Sequence, residues 1–496
     1  MENLLTTLIL EIMKMDSLSD EFWAKIFSTD KGVTATAKLS AIETKKLVNS
    51  YDDYYVEDTC GTKYKIVTKK VSAIGDNYMS DAYTICIIHP QGKKLQCFVK
   101  VLPQTTALRN MAKSSQLHDR EIKLYREYLP ALQDLINQHG IQDKIHLKSP
   151  RLFYAHLDET KATTEIYKDP DNDNPWSALI NMDDTDDFET IIVLEDLIAS
   201  GHRMNNKRVG ADLPHVRIAL DALAQYHATG IAYLRKNGKP VPHMKWLSEI
   251  TIMEVNPQYM FGKAMPGQIG FLRQCGEPEL ADRLATFTNN INKVLRYEEP
   301  GSMGPLETIV HGDFWNNNMM FLYNNEEVKD ISLVDFQIVR HGHPCNDLGY
   351  YLLANTTGEF RRNHLRTVLQ EFYRNLIGYV RLFGIDLEKE GYSETQFFDD
   401  WKARLARGFL FALMVLPAIL GDQAEMQEKL AANDKLMSEL KPSDDDSDEI
   451  KTAKKESLKE QTEALFMDML EHMVTNENLK TRLLDVYREM AEQSVF

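Results

Sequence analysis

From Tyr64 the chain runs in short segments rich in β-branched and aromatic residues: YKIVTKKVSAI, DAYTICII and LQCFVKVL. GDNYMS and HPQGKK separate them, and both are good turn material, so the pattern predicts three antiparallel strands in meander order. A helical stretch is predicted at about Ala107–Leu129, then a helix–loop region to Ser149. RLFYAHLD and TIIVLEDL read as two further strands, with a polar, acidic stretch between them that reads as an exposed hairpin or insertion. After Gly201 the period changes. VRIALDALAQYHATGIAYLRK repeats its apolar positions every 3.6 residues, and further helices are predicted around 277–296, 360–384 and 401–420. Two short apolar runs interrupt this helical half, ETIVHGD and ISLVDFQ, and each leads into an aspartate. Residues 1–50 also show helical spacing, with Ser19 placed as an N-cap before Glu21–Phe27. No internal repeat is evident. The expectation is a β-rich first half, a helical second half and a ligand cleft at their border.

Composition changes this picture little. The 496 residues are 43% hydrophobic and 26% charged, which excludes a wholly disordered, collagenous or coiled-coil chain. With 57 basic and 74 acidic side chains the formal charge is −17, a field that disfavours nucleic acid and anionic lipid as general partners. Five dispersed cysteines without zinc spacing fit a reducing compartment. The apolar run LLTTLIL is cut off by Glu11 and Lys14, and the longest apolar stretch, Phe409–Leu420, has 12 residues. A membrane span needs about 20. A cytoplasmic protein without a membrane span is therefore expected.

The chemistry gathers in two motifs, His311-Gly312-Asp313 with Asn318, and Asp335-Phe336-Gln337. Phosphoryl transfer from ATP needs a carboxylate to orient and deprotonate the acceptor hydroxyl, and oxygen ligands for Mg²⁺. Asp313 fits the first task, while Asn318 and Asp335 fit the second, since Mg²⁺ takes few hard protein ligands and keeps several waters. The 17 residues from Asn318 to Asp335 allow a hairpin that returns both to one place. At the hairpin tip between the first two strands, Gly75, Asn77 and Ser80 offer backbone N–H groups and a hydroxyl to a phosphate; alone, the segment is only a turn. His311 reads as a packed loop anchor rather than a proton carrier, because an acid–base histidine there would duplicate Asp313. His341 and His343 read as turn residues.

HGDFWNNNMMF, LVDFQIVRHGHPCNDLGYYL and IVLEDL resemble the insect ecdysteroid kinase-like family, within the aminoglycoside and choline kinase-like phosphotransferases. The likeness covers roughly residues 20–425. Protein kinases are poorer matches, with Gly312 here in place of their arginine and Gln337 in place of their DFG glycine. The resemblance implies an α+β, two-lobed protein-kinase-like fold. It divides the chain into an N-terminal helical segment (1–50), an N-lobe with an antiparallel sheet and packed helix (51–197), a helical C-lobe with the catalytic loop (198–430), and an acidic linker with a helical tail (431–496).

The same resemblance assigns further roles. Lys100 matches the lysine that contacts the nucleotide phosphates; the plain alternative is an edge-strand lysine reaching for water. Glu121 matches its ion-pair partner, with Glu127 as the rival. Glu195, Asp196 and Leu197 resemble the hinge, whose backbone would hold adenine. Asp347 resembles the aspartate that braces the catalytic loop, and an N-capping role is the plain alternative. The implied activity is ATP- and Mg²⁺-dependent phosphorylation of a small-molecule alcohol, an ecdysteroid or a related steroid or xenobiotic, in hormone inactivation or detoxification. Trp246, Tyr259, Met260 and Phe261 are candidates for a sterol pocket, or else ordinary core. The alternatives are a choline- or ethanolamine-type kinase, with Trp315 and Trp401 in a cationic cage, and an inactive kinase-like binding protein, which predicts a broken motif.

Overall fold

Alternation of apolar residues builds the first layer. In the computed structural model, β2 (Lys63–Lys70), β3 (Asp81–Ile88) and β4 (Lys94–Val101) form the expected meander. Ile85 and Ile87 of β3 are fully buried on one face, and the β3–β4 turn closes at Gly92, whose φ is +86°, a conformation that favours glycine. The structure describes residues 54–57, 63–71, 80–92, 94–103, 115–157, 190–249, 264–421 and 473–496, and scattered positions between them. The N-terminal segment 1–50, the insertion at 158–189 and the acidic linker lie outside the described residues, as do Gly75 and Asn77.

A short additional strand, β1 (Tyr54–Glu57), pairs with β2, while β5 (Leu152–Leu157) and β6 (Thr190–Glu195) extend the other side, giving the order β1-β2-β3-β4-β6-β5. β4 therefore lies inside the sheet, with Lys100 between Ala82 of β3 and Ile192 of β6. This excludes the edge-strand alternative for Lys100.

Arg109, Ala112 and Lys113 are helical within the predicted stretch, and the helix packed on this sheet follows them and runs past the predicted Leu129. It begins as α1 (Leu117–Lys123), passes through a π-helical turn (Leu124–Tyr128) and continues as α2 (Leu129–Gln138). Pro130 marks the predicted end, because proline lacks a helical donor and crowds the preceding turn. The π turn just before it, closed by Leu129 N–H donating to Leu124 O, admits the wider turn and lets the helix run on.

In the C-lobe, α3 (Leu213–Asn237) starts on an Asp212 cap, with its carboxylate accepting from His215 N–H, and ends at Gly238. The two aspartate-led runs become short strands. β8 (Thr308–Val310) pairs with β11 (Arg340–Gly342), and β9 (Met319–Asn324) forms a hairpin with β10 (Glu327–Leu333) that β7 (His202–Arg203) joins. Helices α4 (Met265–Gln274), α5 (Pro278–Thr288), α6 (Pro344–Asn355), α7 (Gly358–Leu382) and α8 (Glu394–Leu420) complete the lobe. By length and composition α8 alone among the described helices passes the test for a membrane span, yet most of its apolar window is buried inside the protein.

The described part of the tail is not a separate unit. Helix α9 (Glu477–Glu492) buries Leu479, Leu483, Val486, Tyr487 and Met490. Phe496 behind it stacks on Phe409 of α8 with centroids 5.0 Å apart. α6 and α8 meet at two glycines, where a Cβ on Gly408 would lie 2.5 Å from the Gly349 carbonyl carbon. Gly408→Ala is accordingly expected to cost roughly 2 kcal/mol net of its helix propensity, read as a lowered Tm in thermal unfolding.

Candidate active site

The catalytic-loop candidate leaves β8 at His311. Gly312 sits at φ +83°, and a Cβ there would lie 2.5 Å from both the Ile338 carbonyl and the Arg340 guanidinium. That crowding explains why glycine stands where protein kinases carry arginine: Arg340, paired with Glu254 at 2.9 Å, already occupies the neighbouring space.

Asp347 holds this turn. Its carboxylate accepts from the His311 N–H (2.8 Å), the Gly312 N–H (2.9 Å) and His227 Nε2 (2.9 Å). Burial alone would raise its pKa, but the His227 hydrogen bond and the charges around it hold the carboxyl below its usual range. The N-capping alternative does not apply, because the cap of α6 is His343, whose Nδ1 accepts from Cys345 N–H. His343 is thus a helix cap, and His341 lies in β11 with Nδ1 3.0 Å from Glu307. Neither is a plain turn residue. Between them β11 and the cap fix the start of the helix that carries Asp347.

His311 is fully enclosed. Its Nε2 donates to Val334 O (3.1 Å), its Nδ1 accepts from Asp313 N–H (3.3 Å), and its ring lies 4.4 Å from that of Phe336. Burial pushes its pKa down, which keeps the ring neutral and suits an anchor.

Asp313 lies half-buried on the far side of the turn. Its Oδ2 accepts from Asn318 Nδ2 (2.9 Å) and its Oδ1 from Tyr350 Oη (3.1 Å). Burial, then the charge of Asp335, lifts its pKa to about 6, against the opposing hydrogen bonds from Asn318 and Tyr350. Asn318 is fixed twice, since its amide also donates to Asp313 O (2.8 Å), and its own carbonyl accepts from Val334 N–H (3.0 Å) beside Asp335.

Asp335 adopts φ +63°, uncommon for a residue other than glycine and a conformation that aspartate tolerates better than most. Its Oδ1 lies 2.5 Å from Lys100 Nζ, and Lys100 also donates to Glu121 Oε2 at 2.7 Å. Lys100 is only 5% exposed. Burial favours the neutral amine, but Asp335 and Glu121 together reverse that and hold it protonated. Glu127, the rival partner, instead accepts from Trp246 Nε1 at 2.9 Å. The helix links the lobes further, through Arg120 Nη1 donating to Val339 O and Trp246 O (both 2.9 Å) and through Tyr125 packing edge-on against Phe336.

The remaining predicted residues line the sheet around Lys100. Ser80 is buried directly before β3. Glu195 ends β6 opposite Cys97, its side chain turned toward Ser200 Oγ (3.1 Å) and Arg151 N–H (3.4 Å). Asp196 caps the turn that follows by accepting from the Ile198 (3.0 Å) and Ala199 (3.2 Å) N–H groups, and Leu197 is buried within it. Trp246 and Phe261 are core side chains, and Trp401 packs beside Gly349 at the α6–α8 contact. The side chains of Tyr259 and Met260 lie outside the described residues.

Tyr350 belongs to neither sequence motif, although a signal exists: it follows Asp347 by three residues, on the same helix face. Tyr350→Phe removes one donor to Asp313 and is expected to lower kcat about tenfold with little change in Tm. Steady-state kinetics beside a melting curve checks both.

The donor set suits Mg²⁺. Asp335 and Asn318 supply hard oxygens of the kind Mg²⁺ prefers. Among the described residues no cluster of three His, Cys, Asp or Glu forms a self-sufficient metal cage, so a nucleotide's phosphates would have to share in the coordination.

Residues 74–385 match the ecdysteroid kinase-like family. No curated protein matches the chain. Among solved structures, the GDP complex of the F108L mutant of aminoglycoside 2'-phosphotransferase-IIIa aligns at 13% identity and TM-score 0.34, covering 81% of this chain and 93% of that one. The wild-type GDP complex aligns at 13% identity and TM-score 0.34 over 73% of this chain and 90% of that one. An aminoglycoside phosphotransferase from Alicyclobacillus acidocaldarius aligns at 11% identity and TM-score 0.30, covering 86% and 92%. With the match spanning most of both lobes, the chain belongs to the ecdysteroid kinase-like family.

Proposed function

We propose that this protein transfers the γ-phosphate of ATP to a hydroxyl of a small molecule, an ecdysteroid or a related steroid or xenobiotic alcohol. One observation supports this above the others: a buried Lys100 ammonium bridges Glu121 and Asp335 while Asn318 ties Asp335's strand end to Asp313. Five ionic or amide groups at that proximity serve no packing purpose, because burying them costs more than burying apolar residues of equal size.

In this reading Lys100 holds the phosphates and Glu121 keeps Lys100 in place. Asn318 and Asp335 would hold Mg²⁺, which when bound shields the phosphate charge. Asp313 accepts the proton of the acceptor hydroxyl, with Asn318 and Tyr350 fixing the carboxylate's orientation. The acceptor oxygen forms a bond to the γ-phosphorus as the bond to the β–γ bridging oxygen breaks. ADP and a phosphate ester leave, and the proton stays on Asp313 until solvent takes it. Adenine would sit against the backbone of Glu195–Leu197, with Ser80 beside the phosphates.

The steroid acceptor class rests on the family. Trp401 is buried in the C-lobe core, so it is not available to a cationic choline-type cage. The motif residues are all present, which weighs against an inactive binding protein. The test is ADP release from Mg²⁺-ATP across ecdysteroids, choline, ethanolamine and aminoglycosides. Turnover with a steroid alcohol is expected. Turnover confined to choline or ethanolamine would overturn the acceptor class, and tight acceptor binding with no ATP turnover would overturn the kinase reading.

A further inference from the structure

The C-terminal helix α9 lies beyond the family-matched residues, yet hydrogen bonds tie it to the catalytic loop. Arg482 of α9 is 3% exposed and donates through Nη2 to Ala354 O at 2.8 Å, in the last turn of α6. The next residue, Asn355, is the junction. Its side-chain oxygen accepts from Asn316 N–H of the catalytic loop (2.9 Å), its carbonyl accepts from Ala211 N–H (2.7 Å), and its amide donates to Tyr351 O (3.0 Å). One residue further, Thr356 O accepts from Arg361 Nη1 (2.7 Å), and Arg361 Nε pairs with Glu489 of α9 (2.6 Å). Two buried arginines therefore grip the end of α6, one on α9 and the other tethered to it.

The junction is crowded. Gly210, at φ +89°, approaches so closely that a Cβ would lie 3.2 Å from Asn355 O and 3.3 Å from Arg482 Nη1. A helix needed only for packing has no use for a buried guanidinium, whose desolvation is costly. Burial and the neighbouring Arg361 push the Arg482 pKa down to about 10, which reflects that cost. Asp347 in the first turn of α6 and Tyr350 at its middle also face the catalytic loop, so the helix touches that loop along its length.

We infer that Arg482 and Glu489 of α9 are positioning residues for phosphoryl transfer: they fix the C-terminal turn of α6 and, through Asn355, the Asn316–Asn318 turn. The inference rests on the kinase reading above.

The test uses the full chain and three variants: Arg482→Met, Arg482→Lys, and Met490→Ala as a packing control on the same helix. Met490 is 1% exposed, and no hydrogen bond connects its side chain to α6. Hydrogen–deuterium exchange is followed in peptides covering 205–212 and 311–318. Arg482→Met is expected to raise exchange in both by at least about fivefold, in excess of any change in Met490→Ala. Arg482→Lys retains a donor toward Ala354 O and should restore most of the protection. In steady state, Arg482→Met should lower kcat about tenfold while the KM for ATP holds. Equal exchange in Arg482→Met and Met490→Ala would overturn the inference and leave α9 a packing element. A wild type without turnover would refute the kinase reading instead, and the exchange arm would still decide whether α9 positions the loop. If Arg482→Met does not fold, the comparison of Arg482→Lys with Met490→Ala carries the same decision, with intermediate exchange expected in the lysine variant.

Discussion

Asp313→Asn is expected to lower kcat by about 10²–10⁴-fold, the usual contribution of a general base, with the KM for ATP nearly unchanged. The substitution is close to isosteric, and its surroundings can accept it. Asp313 receives one hydrogen bond from Asn318 Nδ2 and one from Tyr350 Oη. An asparagine can turn its oxygen toward Asn318 and its amide toward Tyr350, whose hydroxyl then accepts. Both contacts survive, so the fold and the Lys100–Glu121–Asp335 group are undisturbed, and only the proton acceptor is lost. Removing one of two close carboxylates also relieves the repulsion that, with burial, lifts Asp313 to about 6. The variant's Tm should therefore match or exceed that of the wild type. Turnover within about threefold of wild type would show that Asp313 is not the base.

How much of this was legible in the sequence depended on how local each signal was. The β2–β3–β4 meander follows from alternation and turn residues, both properties of a few adjacent positions. Asn318 and Asp335 flank one short hairpin and Asp313 lies just before it, so their spacing nearly dictates their convergence. The resemblance paired Lys100 with Glu121, and the two side chains meet as it implies. Other features depend on contacts between distant segments. The helix continues past Pro130 because a π turn precedes it, which no residue preference announces. Tyr350 reaches Asp313 only because α6 packs beneath the catalytic loop. The position of Lys100 inside the sheet depends on β6 inserting between β4 and β5, which is a matter of topology. The role of α9 was least visible, since Arg482 and Glu489 read as ordinary charged positions on an amphipathic helix until Ala354 and Arg361 are seen beside them.

Asp335→Ala is expected to have the largest effect, lowering kcat/KM by about 10³-fold or more, because a metal ligand supplies several kcal/mol of charge stabilisation. Three consequences coincide at this residue. The carboxylate is lost from the proposed Mg²⁺ site. Lys100 loses the partner 2.5 Å away and keeps only Glu121. The backbone must also hold φ +63° without the side chain that tolerates it, a strain of about 1–2 kcal/mol. Asp335→Asn separates these effects, since asparagine accepts the left-handed conformation and keeps an oxygen for Lys100. Its Tm should stay near wild type while that of Asp335→Ala falls, yet both should lose Mg²⁺-dependent binding of ATP in calorimetric titrations. If Asp335→Asn binds Mg²⁺-ATP as tightly as the wild type, Asp335 serves to hold Lys100 and not the metal. Its cost would then appear as a loss that Lys100→Met reproduces and does not deepen, the pattern of two residues acting as one unit.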